Sequence, residues 1–276
     1  MKKSKAKKSL LLGIIIILLI LFMVPFYVLI VNTFKSTSDF VRMPFSLPES
    51  LNFDNYKVAI ERMNFANSFK NTAIITIVAT IINSLVGSMT GYFFARKDWK
   101  INKLIFTLFL ASMVAPFQVY MIPLVKIYGG TLGMANKLSM VIYISIGMNI
   151  PFAVFLYNGF VEGIPIELDE AAKIDGCGIT RTFFYIIAPI LKPIMVTVVS
   201  FVSLGVWNDY LMTSLFLTRE KTKTLSIAAF TFLTNHSADY SPMMAGLVLS
   251  IIPVLLFYLF GQKYIISGVV SGSVKG

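Results

Sequence analysis

The sequence predicts an all-α integral membrane protein with six transmembrane helices and both termini on the cytoplasmic side. Three observations carry that prediction. Only 13% of the 276 residues are charged, against 57% hydrophobic, where a soluble domain holds about 25% charged residues. The apolar residues gather in stretches near the ~20 residues that cross a bilayer as a helix. The N-terminal tail and one short break between stretches are dense with lysine, which places them on the cytoplasmic side, although the overall split of basic residues between the two sides is modest.

The first stretch, 10–31, follows a tail holding Lys2, Lys3, Lys5, Lys7 and Lys8. Its length exceeds the apolar region of a signal peptide, about 7–15 residues, and no small-x-small site follows, so it reads as an uncleaved span. The others fall at 71–95, 104–125, 137–158, 190–211 and 243–264, with interiors expected to be free of Asp, Glu, Lys and Arg. The short break 97–103, with Lys97, Lys100 and Lys103, joins the N-terminal tail on the cytoplasmic side. Segments 32–70 and 212–242 then lie outside. Pro44 and Pro48 punctuate the first of these, which is expected to hold short helices. Both are long enough for a partner contact or a lid.

Composition closes several functions. A charge of +11 would suggest nucleic acid in a soluble chain; here basic cytoplasmic loops account for it, and no nucleic-acid partner is expected. One cysteine, Cys177, and one histidine, His236, leave no internal disulfide and no His-rich metal site. No G-x-x-x-x-G-K-[ST] cradle for nucleotide phosphates occurs. Spans without ionisable residues argue against an ion-driven transporter, so the energy for any transport is expected from a docked partner.

In the second span Ser84, Gly87, Ser88 and Gly91 share one helical face, and the two glycines form a G-x-x-x-G at which another helix can approach closely.

The cytoplasmic loop 159–192 is the informative stretch. Pro165 suits a helix start, and Glu167, Asp169 and Glu170 suit the positive first turn. Ala171 and Ala172 favour the helix, and Gly176 is placed to end it in a left-handed cap. Gly178 and Thr180 open a second helix, expected to stop at Pro189. The residues alone allow an ordinary amphipathic loop helix or an element built to dock into another protein.

Glu170-Ala171-Ala172, Gly176 and then Ile186-Ile187-Ala188-Pro189 resemble the E-A-A motif of ABC importer permeases, with Ala188 where leucine is usual. The phrase Ile164-Pro165-Ile166-Glu167-Leu168, the run Trp207-Asn208-Asp209-Tyr210, the segment Pro116 to Pro123 and the tail Ser271-Gly272-Ser273-Val274-Lys275-Gly276 resemble the carbohydrate branch, the maltose-permease G-subunit type. The resemblance implies the type I importer permease fold. It divides the chain into a basic tail, first helix and outer segment (1–68), a transmembrane core (69–262) and a C-terminal tail (263–276). It implies a non-catalytic subunit of the bacterial cell membrane. The expected partners are a second permease, two ATPase copies that bind the ATP, an external sugar-binding protein and the sugar, with no cofactor held by this chain. By the same resemblance Leu168, Glu170, Ala171, Ala172, Asp175 and Gly176 contact the ATPase. Asn83, Gln118, Asn149, Trp207, Asn208 and Tyr210, with Tyr120, are candidates for the sugar path, since sugars need amides and an aromatic face. Each also has a simpler reading, as a helix-to-helix hydrogen bond or an interfacial ring. Phe230, Phe232 and Tyr240 are expected to face the binding protein. An ABC permease for an amino acid or polyamine, or a stand-alone secondary transporter, stays open as an alternative.

Overall fold

The computed structural model describes residues 2–233 and 239–273. His236 and the tail residues Val274, Lys275 and Gly276 lie outside the described residues. The elements formed by the described residues are helical: α1 (Lys2–Asn32), α2 (Thr37–Arg42), α3 (Asp54–Arg62), α4 (Phe65–Arg96), α5 (Lys100–Val114), α6 (Phe117–Leu124, continued by a π-turn Val125–Thr131), α7 (Leu138–Glu162), α8 (Glu167–Ile174), α9 (Ile179–Thr182), α10 (Ala188–Ile190), α11 (Lys192–Trp207), α12 (Leu211–Phe216), α13 (Leu225–Ala229) and α14 (Tyr240–Ser273).

Among the described residues, four helical segments are long and apolar enough to cross a bilayer alone: Leu10–Asn32, Phe65–Arg96, Leu138–Glu162 and Tyr240–Leu259. Two further spans are bent. Lys100–Val114 and Phe117–Thr131 meet at 96°, and Ile179–Ile190 and Lys192–Trp207 at 80°. Six spans result when each bent pair is taken as one. The third predicted span, 104–125, is therefore a broken helix. Ala115 and Pro116 are extended, with ψ of 116° and 142°. The proline has no N–H to continue the ladder and holds the residue before it out of the helical region.

The fifth span also differs. Pro189 does not stop the helix before it. A π-turn (Phe183–Ile187) widens the coil ahead of the proline, which sits in the first turn of α10. The break comes at Leu191, ahead of Pro193. Asp209, inside the predicted stretch 190–211, falls beyond the end of α11, where its carboxylate accepts the Thr213 N–H at 2.8 Å.

The chain forms two compact units. One comprises residues 1–66 and 228–253. There the outer segment is tied to the end of α1. The Asn32 amide donates to the Val28 and Pro44 carbonyls (2.6 and 2.8 Å), the Lys35 ammonium to the Met43 carbonyl (2.9 Å), and the Asn55 amide to the Thr33 and Lys35 carbonyls (2.8 Å each). The expected short helices are α2 and α3. Phe232 is buried beneath the Arg62 guanidinium, so it cannot face a binding protein. Its neighbour Phe230 is exposed, and Tyr240 packs on Phe40.

The other unit comprises residues 67–227 and 254–276. Its core joins α4 and α7 with the Phe183–Ile187 turn, α11 and α12, and α4 and α7 meet at a seam of small residues. A Cβ on Gly87 would meet the Ala153 Cβ at 2.7 Å, and one on Gly91 the Tyr157 Cβ at 2.7 Å and the Asn158 backbone nitrogen at 2.8 Å. Ser84 and Tyr157 share a hydroxyl hydrogen bond of 2.8 Å. The small-residue face thus does what its spacing predicts. The outer segment 218–225 is pinned in the same unit. Asn136 accepts the Thr218 and Arg219 N–H groups at 2.7 and 2.8 Å, while the Asn71 amide donates to the Lys221 and Lys223 carbonyls at 3.0 and 2.9 Å.

Candidate functional site: the loop helix and its anchor

Helix α8 starts two residues after Pro165, with Glu167, Asp169 and Glu170 in its first turn and Lys173 in its last. Both charge placements suit the helix dipole. Its end follows from one glycine. Gly176 takes φ +78°, the left-handed conformation that glycine adopts without a Cβ penalty. That lets the Cys177 N–H reach the Ala172 carbonyl at 2.8 Å and the Gly176 N–H reach the Lys173 carbonyl at 3.1 Å. These are the paired bonds of a Schellman cap.

Of the residues implied in ATPase contact, Leu168, Glu170, Ala171, Asp175 and Gly176 are exposed. Ala172 is not: it is 2% exposed and points to the protein side of the helix. It seats α8 and is withheld from any docked partner. The outward face also carries Ile174, 87% exposed, which adds an apolar contact to the acidic residues.

An ion pair holds this helix down. The Arg96 Nε donates to the Asp169 Oδ2 at 3.0 Å, and the Tyr92 hydroxyl donates to the Asp169 Oδ1. The remaining guanidinium nitrogens donate to the Val161 and Ile164 carbonyls at 3.3 and 3.0 Å, across the end of α7. The Arg96 and Asp169 side chains are 9% and 17% exposed. One arginine on α4 thereby joins the loop helix to the ends of two long helices. Tyr92 and Arg96 stand one turn apart on α4, and Asp169 and Ala172 share a face of α8, as their spacings permit. Their pairing spans 73 residues of chain, too far apart for a local pattern to mark the two as partners. The legible signal was an aromatic and a basic residue at i, i+4 closing the second span.

The candidates for the sugar path do not converge. Asn83, Asn149 and Asn208 each donate the side-chain amide to a carbonyl one turn back, on Ala79, Ser145 and Leu204. Asn83 is fully buried, which removes it as a contact. Trp207 is half-buried, its ring edge-on to Phe69 with centroids 5.8 Å apart. Tyr210 and Asn208 are exposed beyond α11, and Gln118 is exposed on α6.

Broken and continuous spanning helices, a small-residue seam between α4 and α7 and a clamped loop helix are the elements of a membrane permease subunit. Residues 83–270 match the family described as the binding-protein-dependent transport system inner membrane component, and the chain belongs to that family. It is 37% identical over 275 residues, all of both chains, to a starch degradation products transport system permease of Thermoanaerobacterium thermosulfurigenes. It is 35% identical over 254 residues to the melibiose/raffinose/stachyose import permease of Bacillus subtilis, covering 92% of this chain and 91% of that one. In fold it matches a crystal structure of a bacterial ABC transporter involved in import of the acidic polysaccharide alginate. The TM-score is 0.77 at 19% identity, covering 93% of this chain and 94% of that one. The protein is thus a multi-pass membrane permease with the ABC importer permease fold.

Proposed function

We infer that this chain is one of two permease subunits of an ATP-driven, binding-protein-dependent importer of oligosaccharides in the bacterial cytoplasmic membrane. The observation that carries the sugar assignment is the full-length likeness to permeases whose names specify starch products and raffinose-type sugars. The chain forms half of the translocation path and catalyses no reaction. Two copies of an ATPase bind and hydrolyse the ATP, a second permease supplies the other half of the path, and an external binding protein delivers the sugar.

The outward face of α8 suits the coupling role. Glu170, Asp175, Leu168, Ala171 and Ile174 offer a mixed acidic and apolar ridge, and the Arg96–Asp169 anchor ties that ridge to α4 and α7. A push on the ridge by a closing ATPase dimer would pass into the spans instead of being absorbed in the loop.

Uptake of labelled raffinose and maltotetraose by cells with and without this gene tests the assignment. Loss of uptake on deletion is the expected result. Unchanged uptake of both sugars, with loss of amino-acid or polyamine uptake, would replace the sugar reading. Co-purification of an ATPase tests the partner, and uptake by this chain alone in liposomes without ATP would overturn the whole scheme.

A further inference from the structure

The break between α5 and α6 falls at the middle of the apolar stretch 104–125. A helix end leaves its last carbonyls without intrahelical partners. Hydrocarbon does not satisfy them, so such a break is tolerated only against protein or a watered cavity. Beside this break lies a cavity of ≈ 380 Å³, within the size range of small-ligand sites. Ser112 and Ala115 border it from the broken span, and Gly147 and Met148 from the middle of α7. Three tyrosines line it: Tyr120 on α6, Tyr128 on the following π-turn and Tyr143 on α7. The Tyr128 and Tyr143 rings stand 5.8 Å apart, tilted by 46°. None of the lining residues is charged.

We propose that this tyrosine-lined cavity is a sugar subsite on the translocation path, with the adjoining rings of Tyr128 and Tyr143 as one stacking wall. A pyranose ring presents apolar C–H faces and a rim of hydroxyls. Phenol rings match both, the face by packing and the hydroxyl by hydrogen bonding. The absence of charge favours a neutral polyol over an amino acid or a polyamine, each of which would need a counter-charge in a low-dielectric wall. The break in the span supplies further backbone acceptors at the same depth, as discontinuous helices do in other transporters. The subsite rests on the sugar reading above.

The test uses the intact importer in cells, with labelled raffinose and maltotetraose as probes. Wild-type uptake of at least one probe comes first; if neither enters, the sugar reading itself falls, and the subsite with it. Given uptake, Tyr143→Ala and Tyr128→Ala are expected to slow it roughly tenfold, the effect of one lost contact worth about 1.4 kcal/mol. Tyr143→Phe, which keeps the ring, is expected to retain most of the rate. The purified complexes should keep wild-type subunit ratios. Uptake at the wild-type rate in both alanine variants would overturn the subsite alone. So would loss of the partner permease from the complex, which would make this face an interface between subunits.

Discussion

Removing the charge of Asp169 is the sharpest probe of the anchor. Asp169→Asn leaves Arg96 buried without its anion, and breaking a buried pair by removing one partner costs about 3–5 kcal/mol. The low end applies, because the Val161 and Ile164 carbonyls still accept from the guanidinium. About 3 kcal/mol raises the population of a locally opened loop roughly a hundredfold. Trypsin reports that population, since Lys173 and Arg181 lie within and just beyond α8 and cleavage needs a locally unfolded chain. In inside-out vesicles the variant should be cut there roughly a hundredfold faster, and uptake should fall. The double variant Arg96→Met with Asp169→Leu removes both charges and should recover most of the protection, since apolar pairs often replace buried ion pairs without loss. Cleavage and uptake within twofold of wild type in Asp169→Asn would refute the anchor.

Three further outcomes follow from the same geometry. Gly176→Pro forces φ to about −65° and removes the N–H bonded to Lys173, so ATPase co-purification should fall, while Gly178→Ala, with open space around its Cβ, should be silent. Glu170→Lys reverses an exposed charge on the outward face; thermal stability should hold while ATPase association weakens, which a pull-down measures. Gly91→Ala drives a methyl into the α7 backbone, and overpacking of this kind costs about 1–3 kcal/mol. A thermal-shift measurement in detergent should show it, with Gly205→Ala, which meets nothing within 4 Å, unaffected.

Local chemistry made much of this protein legible from its residues. Apolar length marks the spans because a bilayer demands it, and the G-x-x-x-G face of α4 announces close approach because only glycine leaves room. Gly176 ends α8 because it alone enters the left-handed region freely. Each of these depends on neighbours within a turn or two. The tertiary structure decided what distant residues do to one another. It turned Ala172 inward and buried Phe232 under Arg62, and it turned the side-chain amides of Asn83, Asn149 and Asn208 back onto carbonyls one turn earlier. It bent the third span at Ala115–Pro116, where proline permits a break but only the surrounding packing sets its angle and depth. It also brought Arg96 to Asp169, since the partner of a buried charge is chosen by the fold and not by anything near it in the chain.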